Sequence, residues 1–146
     1  MKVILQRTSR ASVSVDGKIV GQINHGLLVL IGITHTDTKE NADTLIKKLV
    51  NLRVFNDENG KMNLSIQDVH GEFLVISQFT LYGNAKKGNR PSFVDAAPPD
   101  EAIPIYDYFV DTLMVESQLK VETGIFGAMM DVELVNSGPM TLVLEG

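Results

Sequence analysis

Alternating apolar and polar positions open the chain and predict paired strands. The segment ASVSV (11–15) alternates strictly, and the Asp16-Gly17 pair that follows is a strong signal for a two-residue hairpin turn. The next run, GLLVLIGI (26–33), is wholly apolar and rich in branched side chains. We therefore expect an antiparallel hairpin followed by a strand that is buried on both faces.

The period then changes from strand-like to helical. Between residues 37 and 50 the apolar positions follow helical spacing, at Ala42, Leu45, Ile46, Leu49 and Val50. Asp37 and Glu40, three residues apart, resemble a capping box at the start of this helix. The pattern predicts an amphipathic helix that leads into a short strand at LRVF (52–55) and then a turn.

The second half of the chain predicts a buried strand, a second helix and about three further strands. GEFLVIS (71–77) reads as the buried strand. Helical spacing returns from 106 to 114, and prolines cluster at or before the first turns of that helix. The expected fold is a mixed α/β single domain over 1–146, with a strand-rich mixed sheet or partly closed barrel and two main helices on one side.

Composition places the chain among ordinary globular proteins. It has 146 residues with 44% hydrophobic and 21% charged content, and no apolar run approaches 18 residues. The N-terminal segment turns polar after five residues, too early for a signal peptide, so we expect a cytoplasmic protein with no membrane partner. The absence of cysteine excludes thiol catalysis, and the three histidines lack metal-ligand spacing. We expect no metal and no cofactor.

The net charge of −5 argues against a broad basic face that wraps nucleic acid. One local exception is NAKKGNRPSF, which carries Lys86, Lys87 and Arg90 within five positions. Such a loop is able to meet phosphates, although charge alone favours a solvated surface loop.

Two short motifs are candidates for chemistry. In SQFTL (77–81), the hydroxyls of Ser77 and Thr80 flank the amide of Gln78 at a strand end, where backbone N–H groups are able to face a polarised carbonyl. No histidine, lysine or carboxylate is close in sequence to activate either hydroxyl. From the residues alone, ordinary strand residues with local hydrogen bonds are favoured.

The second motif, NSGPMT (136–141), interrupts an otherwise strand-like run. Proline donates no hydrogen bond and glycine weakens a strand, so Gly138-Pro139 predicts a turn, an edge or a bulge, and the linkage permits a cis peptide. The segment GIFGAMM (124–130) carries two glycines that allow a close approach or mark plain bends.

Taken together, SQFTL, NSGPMT, GIFGAMM and the opening QRTSRASVSVDG (6–17) closely resemble the D-aminoacyl-tRNA deacylase (D-tyrosyl-tRNA deacylase) family, in that order and over the full length. The resemblance implies hydrolysis of the ester that joins a D-amino acid to the terminal ribose of tRNA. Glycyl-tRNA mischarged on tRNA-Ala is a further substrate to consider. The implied role is chiral proofreading in translation quality control.

The resemblance also implies a homodimer with active sites at the subunit interface. Gly138 and Pro139, joined by a cis peptide, would enter the partner's site, and their main-chain carbonyls would exclude an L side chain. Arg7 would brace this loop, and Met129 would lie at the substrate. An enzyme that accepts D-amino acids with many different side chains is unable to select them by the side chain. It has to distinguish the configuration at the substrate Cα, and a rigid backbone segment is suited to that.

By the same resemblance, Ser77, Gln78, Phe79 and Thr80 would form the floor of the catalytic pocket. The N–H groups near Phe79 and Thr80 would stabilise the ester carbonyl as charge develops. Thr80 is one candidate nucleophile. The favoured alternative assigns the chemistry to the adjacent ribose hydroxyl and water, while Lys86, Lys87 and Arg90 would contact phosphates of the acceptor stem.

Three alternatives remain at this point. A related branch with a trans Gly-Pro element tolerates small L-amino acids. A binding module would use the Gly-Pro loop only to build a dimer interface. A generic serine or threonine esterase would depend entirely on Ser77 or Thr80.

Overall fold

The computed structural model describes all 146 residues as eight strands, two α-helices and one 3₁₀ turn. The strands are β1 Lys2–Val15, β2 Lys18–Ile23, β3 Gly26–Gly32, β4 Phe55–Asn56, β5 Met62–Leu64, β6 Glu72–Ser77, β7 Val121–Thr123 and β8 Asp131–Glu145. The helices are α1 Lys39–Asn51 and α2 Pro99–Ser117, and the 3₁₀ turn is Phe79–Tyr82. Neither helix is long and apolar enough to cross a membrane.

The main sheet is mixed and nearly closes on itself. Its strands follow the order β2-β1-β3-β6-β7, and β8 pairs with β1. The β3–β6 and β6–β7 pairs are parallel, whereas β1 pairs antiparallel with β2, β3 and β8. The two ends of the path meet where Gly21 of β2 passes Thr123 of β7, so closely that a Cβ at Gly21 would collide with the Thr123 carbonyl oxygen. The expected mixed sheet and partly closed barrel are confirmed.

The core lies on both faces of the central strands. Leu27, Val29 and Ile31 of β3 belong to the large apolar cluster that includes the buried faces of both helices. Leu28 points to the other face, where a smaller cluster forms with Leu74 among others. The apolar run 26–33 therefore lacks alternation because both faces of its strand are buried, as the sequence predicted.

Helix α1 confirms the predicted helix and its buried stripe, but the predicted cap is wrong. The capping residues are Thr38 and Asn41, one position further along, where the Asn41 side chain accepts the Thr38 N–H at 2.8 Å. Asp37 instead accepts the N–H of Thr34 in the preceding loop. Asp and Thr are both good N-caps, so the sequence pattern alone did not separate the two registers.

The segment after α2 contains two strands, not the expected three. β8 continues through the NSGP motif because the chain bulges out and then rejoins the same ladder. Thr8 pairs with Asn136 and Gln6 pairs with Thr141, so Arg7 alone lies opposite the four residues Ser137–Met140. Of the alternatives that the sequence left open, the motif is a bulge in a strand and not a hairpin turn.

Candidate active site

A cavity of ≈ 480 Å³ lies beyond the end of β6. Its walls come from four parts of the chain: the strand ends at Ile31 and Ile76, the Ser77–Phe79 segment, the loop and helix start at 93–102, and the segment 126–132. Twelve of its 17 lining residues are hydrophobic, and none carries a charge or an imidazole. The cavity therefore suits a largely apolar group and holds no side chain that is able to serve as a general base.

The SQFTL segment forms one wall of this cavity. The Gln78 N–H donates to the Ile31 carbonyl at 2.7 Å, which prolongs the parallel ladder by one residue. The chain then turns sharply into the 3₁₀ turn, whose first N–H groups, on Phe79 and Thr80, have no acceptor within the turn. Two backbone donors are therefore unused within the turn, and Phe79, which carries one of them, lines the cavity.

Ser77, Gln78 and Phe79 line the cavity, but Thr80 does not. The Thr80 side chain is exposed, and its hydroxyl oxygen accepts a short hydrogen bond from the Gln78 amide. That contact orients the hydroxyl without offering a group to take its proton, since an amide N–H only donates.

Aromatic rings shape the remaining walls. Phe79 and Phe93 meet edge to face with ring centroids 5.2 Å apart, and Phe126 meets Tyr106 in the same way at 5.7 Å. The Tyr106 hydroxyl donates to the Val75 carbonyl at 2.9 Å, and burial raises the pKa of Tyr106 well above its ordinary value, which keeps this donor protonated. Sequence analysis singled out the motifs that contain Phe93 and Phe126, NAKKGNRPSF and GIFGAMM, but it considered only the cations of the first and the glycines of the second, so it missed both rings.

Residues 93–97, here called the strap, form one side of the cavity, and polar contacts from His35 hold this segment in place. His35 contacts the Val94 carbonyl through Nε2 at 2.8 Å and Glu101 through Nδ1 at 3.4 Å. The hydrogen bond to Val94 is the largest cause that raises the pKa of His35, and the Glu101 carboxylate adds to it. Sequence analysis assigned this histidine no role, since its partners lie about 60 residues away.

The predicted basic residues lie on a hairpin next to the cavity. The backbones of Asn84 and Ser92 exchange hydrogen bonds at 2.8 and 2.9 Å, and the loop between them, the basic hairpin, carries Lys86, Lys87 and Arg90. All three are exposed, and none forms an ion pair within the chain. The hairpin directly precedes Phe93, which lines the cavity, so these free cations belong to the segment that leads into its wall.

Gly138 and Pro139 lie at the exposed tip of the bulge in β8, and the peptide bond between them is cis. Neither residue lines the cavity of its own chain. Arg7 is buried, at 6% exposure, and holds the tip from behind: Nε donates to the Ser137 carbonyl at 3.1 Å and Nη2 to the Gly138 carbonyl at 3.4 Å. The same guanidinium donates to the Val54 carbonyl at 2.6 Å.

Met129 is 93% exposed and does not line the cavity, whereas its neighbour Met130 does. The glycines of GIFGAMM differ in role. A Cβ at Gly124 would collide with the Met130 sulfur, and Gly127 has a φ of +76° that favours glycine. No group of three or more His, Asp or Glu side chains is arranged to hold a metal ion.

Comparison with known proteins connects this chain to one family. The family model described as D-Tyr-tRNA(Tyr) deacylase matches residues 4–145. A D-aminoacyl-tRNA deacylase from Bacillus velezensis is 56% identical over 145 residues, covering 99% of this chain and 98% of the relative. The same-named protein from Bacillus cytotoxicus is 59% identical over 145 residues and covers 99% of both chains.

Solved structures agree on the fold. A structure titled c-Myc DNA Unwinding Element Binding Protein superposes with a TM-score of 0.93 at 41% identity, covering 100% of this chain and 99% of its own. A structure of a probable eukaryotic D-amino acid tRNA deacylase superposes at 0.85 with 18% identity over 99% and 98% of the two chains. The resemblance expected from SQFTL and NSGPMT is confirmed, and the chain belongs to the D-aminoacyl-tRNA deacylase family.

Proposed function

We propose that this protein hydrolyses the ester bond of D-aminoacyl-tRNA and releases the free D-amino acid and tRNA. The observation that carries the proposal is the full-length match, at 56 and 59% identity, to relatives named for this activity. The cavity beside Ser77–Phe79 agrees with it, because an uncharged apolar pocket next to free backbone donors suits a nucleoside ester.

Oxyanion stabilisation by backbone is the main catalytic contribution in this proposal. Hydrolysis of an ester places negative charge on the carbonyl oxygen, and the N–H groups of Phe79 and Thr80 are oriented by the 3₁₀ turn before substrate binds. Fixed donors of this kind are worth roughly 3–4 kcal/mol each in the transition state.

The nucleophile in this proposal is a water molecule assisted by the ribose hydroxyl next to the ester. Thr80 has no base beside it, and no lining residue is a base. Holding the ester, the hydroxyl and the water in one geometry supplies the remaining rate enhancement without an activated side chain. The runner-up assigns the attack to the Thr80 hydroxyl, and the Thr80→Ala variant decides between them.

Chirality is read by Gly138 and Pro139 of a second copy of the chain. These residues are exposed and lie outside their own cavity, and Arg7 restrains their backbone through the carbonyls of Ser137 and Gly138. Rigid carbonyls placed beside the Cα of the substrate amino acid leave space for only a hydrogen atom at the position that the side chain of an L-amino acid would occupy. An L side chain is therefore excluded by steric clash. Glycine has no side chain to exclude, so glycyl-tRNA mischarged on tRNA-Ala passes the same gate. Met129, exposed between the cavity-lining residues Ala128 and Met130, would contact the substrate.

The homodimer in this proposal forms through β8. This 15-residue strand pairs with β1 alone and exposes apolar side chains next to the gate, among them Val135, Leu142 and Val143. A long apolar edge strand is a surface that proteins normally cover. A second copy would cover it and bring Gly138–Pro139 of one subunit to the cavity of the other.

The tRNA end binds along the basic hairpin. Lys86, Lys87 and Arg90 are free cations on the segment that leads into the cavity wall, where the backbone of the acceptor stem would continue from a bound terminal nucleotide. A local patch is sufficient for an acidic protein that holds only one end of the tRNA. We also propose a cytoplasmic location, since aminoacyl-tRNA is made and used there.

The experiment is deacylation of D-tyrosyl-tRNA and L-tyrosyl-tRNA side by side by the purified protein. Rapid loss of the D ester alone supports both the activity and the gate. Loss of both esters points to the branch that tolerates L-amino acids or to a generic esterase. Loss of neither favours the binding-module alternative.

A further inference from the structure

The side chain of Asn136 bridges the two ends of the bulge in β8. Asn136 is the last residue of β8 that pairs with β1 before the bulge, and its Nδ2 makes two hydrogen bonds. One goes across to the Arg7 carbonyl of β1 and the other across the bulge to the Met140 carbonyl, both at 3.0 Å. The primary amide therefore joins three points of the backbone at the neck of the loop.

The two ends of the loop are fixed to different degrees. Met140, at the far side of the neck, is buried in the main core, whereas Asn136, Gly138 and Pro139 are exposed. Without the Asn136 amide, the near end of the loop would be held by the strand ladder that stops there and by the hydrogen bond from Arg7 Nε to the Ser137 carbonyl. Arg7 restrains the carbonyls of the tip, but its reach to Gly138 is long at 3.4 Å.

We propose that Asn136 is a positioning residue that sets the place of the Gly138–Pro139 tip and thereby the discrimination between D and L substrates. The inference rests on the proposed function, in which that tip is the chiral gate. An amide is required at the neck because a single nitrogen has to donate to two carbonyls at once. A carboxylate of the same shape only accepts, so it would repel both oxygens.

The test compares Asn136→Asp with Asn51→Asp in the full-length protein. Asn51 is a matched control, because its Nδ2 donates to one backbone carbonyl, that of Lys47, at the end of α1. Rates of D-tyrosyl-tRNA and L-tyrosyl-tRNA deacylation are measured for each. We expect Asn136→Asp to lower the ratio of the D rate to the L rate by about tenfold, the equivalent of two lost hydrogen bonds, and Asn51→Asp to leave it unchanged.

The ratio separates positioning from simple destabilisation. A variant that is only less stable has less active enzyme, which lowers both rates by one factor and leaves their ratio at the wild-type value. That result for Asn136→Asp would overturn the inference while the proposed function stands. A wild-type protein with no preference for the D ester would overturn both. If Asn136→Asp does not fold, Asn136→Ala removes the same donors without adding charge and is judged by the same ratio.

Discussion

Replacing Arg7 by lysine tests whether the tip of the β8 bulge is held by a guanidinium and not merely by a positive charge. Arg7 uses separate nitrogens for its partners: Nη1 serves Val54, while Nε and Nη2 serve Ser137 and Gly138. A lysine carries its three N–H donors on a single atom, so it does not span the separate positions from which the guanidinium nitrogens reach the Val54 carbonyl and the tip.

The magnitude follows from the two hydrogen bonds to the tip. Charged donors contribute about 1.5–3 kcal/mol each, and lengths of 3.1 and 3.4 Å place this pair at the weak end. Loss of the pair therefore costs about 3 kcal/mol of restraint on the tip, roughly a 150-fold change in the population of the correctly placed loop. We expect Arg7→Lys to lose a comparable factor in the ratio of D to L deacylation.

The assay pairs this ratio with urea unfolding, and Arg53→Lys is the control. Arg53 also donates through Nε to a backbone carbonyl, that of Asn63 at 2.7 Å, but it is exposed and makes no hydrogen bond to the bulge. A folded Arg7→Lys protein that keeps the wild-type ratio would refute the reasoning. A ratio that falls equally in Arg53→Lys would show that the effect is not specific to the bulge.

Three further predictions concern the cavity and its surroundings. Thr80→Ala retains measurable deacylation, because no base accompanies the hydroxyl; complete loss of single-turnover activity in a folded variant would instead assign the attack to Thr80. Glu101→Gln lowers the raised pKa of His35 towards its ordinary value of 6.5, which NMR titration will measure, and an unchanged pKa would contradict the assigned contact. In the wild-type protein, the contact of protonated His35 with the strap stabilises the fold fully below pH 6.5, and this contribution is lost as pH rises through the raised pKa. Replacing both lysines of the basic hairpin by alanine weakens tRNA binding and reduces the salt dependence of the binding constant by about two counterions, whereas an unchanged salt slope would place the tRNA elsewhere.

The sequence predicted those parts of the fold in which local pattern and tertiary packing agree. The apolar stripe of α1 and the hairpin at Asp16-Gly17 are observed where expected, since each follows from spacing within a few residues. The number of strands after α2 was overestimated. A proline and a glycine usually end a strand, but the long partner β1 lets β8 resume beyond the interruption.

The cavity was less predictable than the motifs beside it. SQFTL was identified from its hydroxyls and amide, and the structure places Ser77, Gln78 and Phe79 in the wall. The opposing aromatic wall at Phe93 and Phe126 comes from two motifs that lie far apart in the sequence, NAKKGNRPSF and GIFGAMM, and only the folded chain brings those rings to one cavity. Contacts at long sequence separation carry no local signal that a single sequence displays.

Because one residue of β1 lies opposite four residues of β8, the sequence of the bulge is able to vary without affecting the pairing of the two strands. Asn136 and Thr141 lie opposite Thr8 and Gln6, as they would in a regular ladder with three residues fewer between them. Substitutions at the tip therefore alter what it presents to a ligand without shifting the register of either flank. The paired strands therefore form a constant scaffold, and the sequence of the tip is free to vary in what it recognises without disturbing that scaffold.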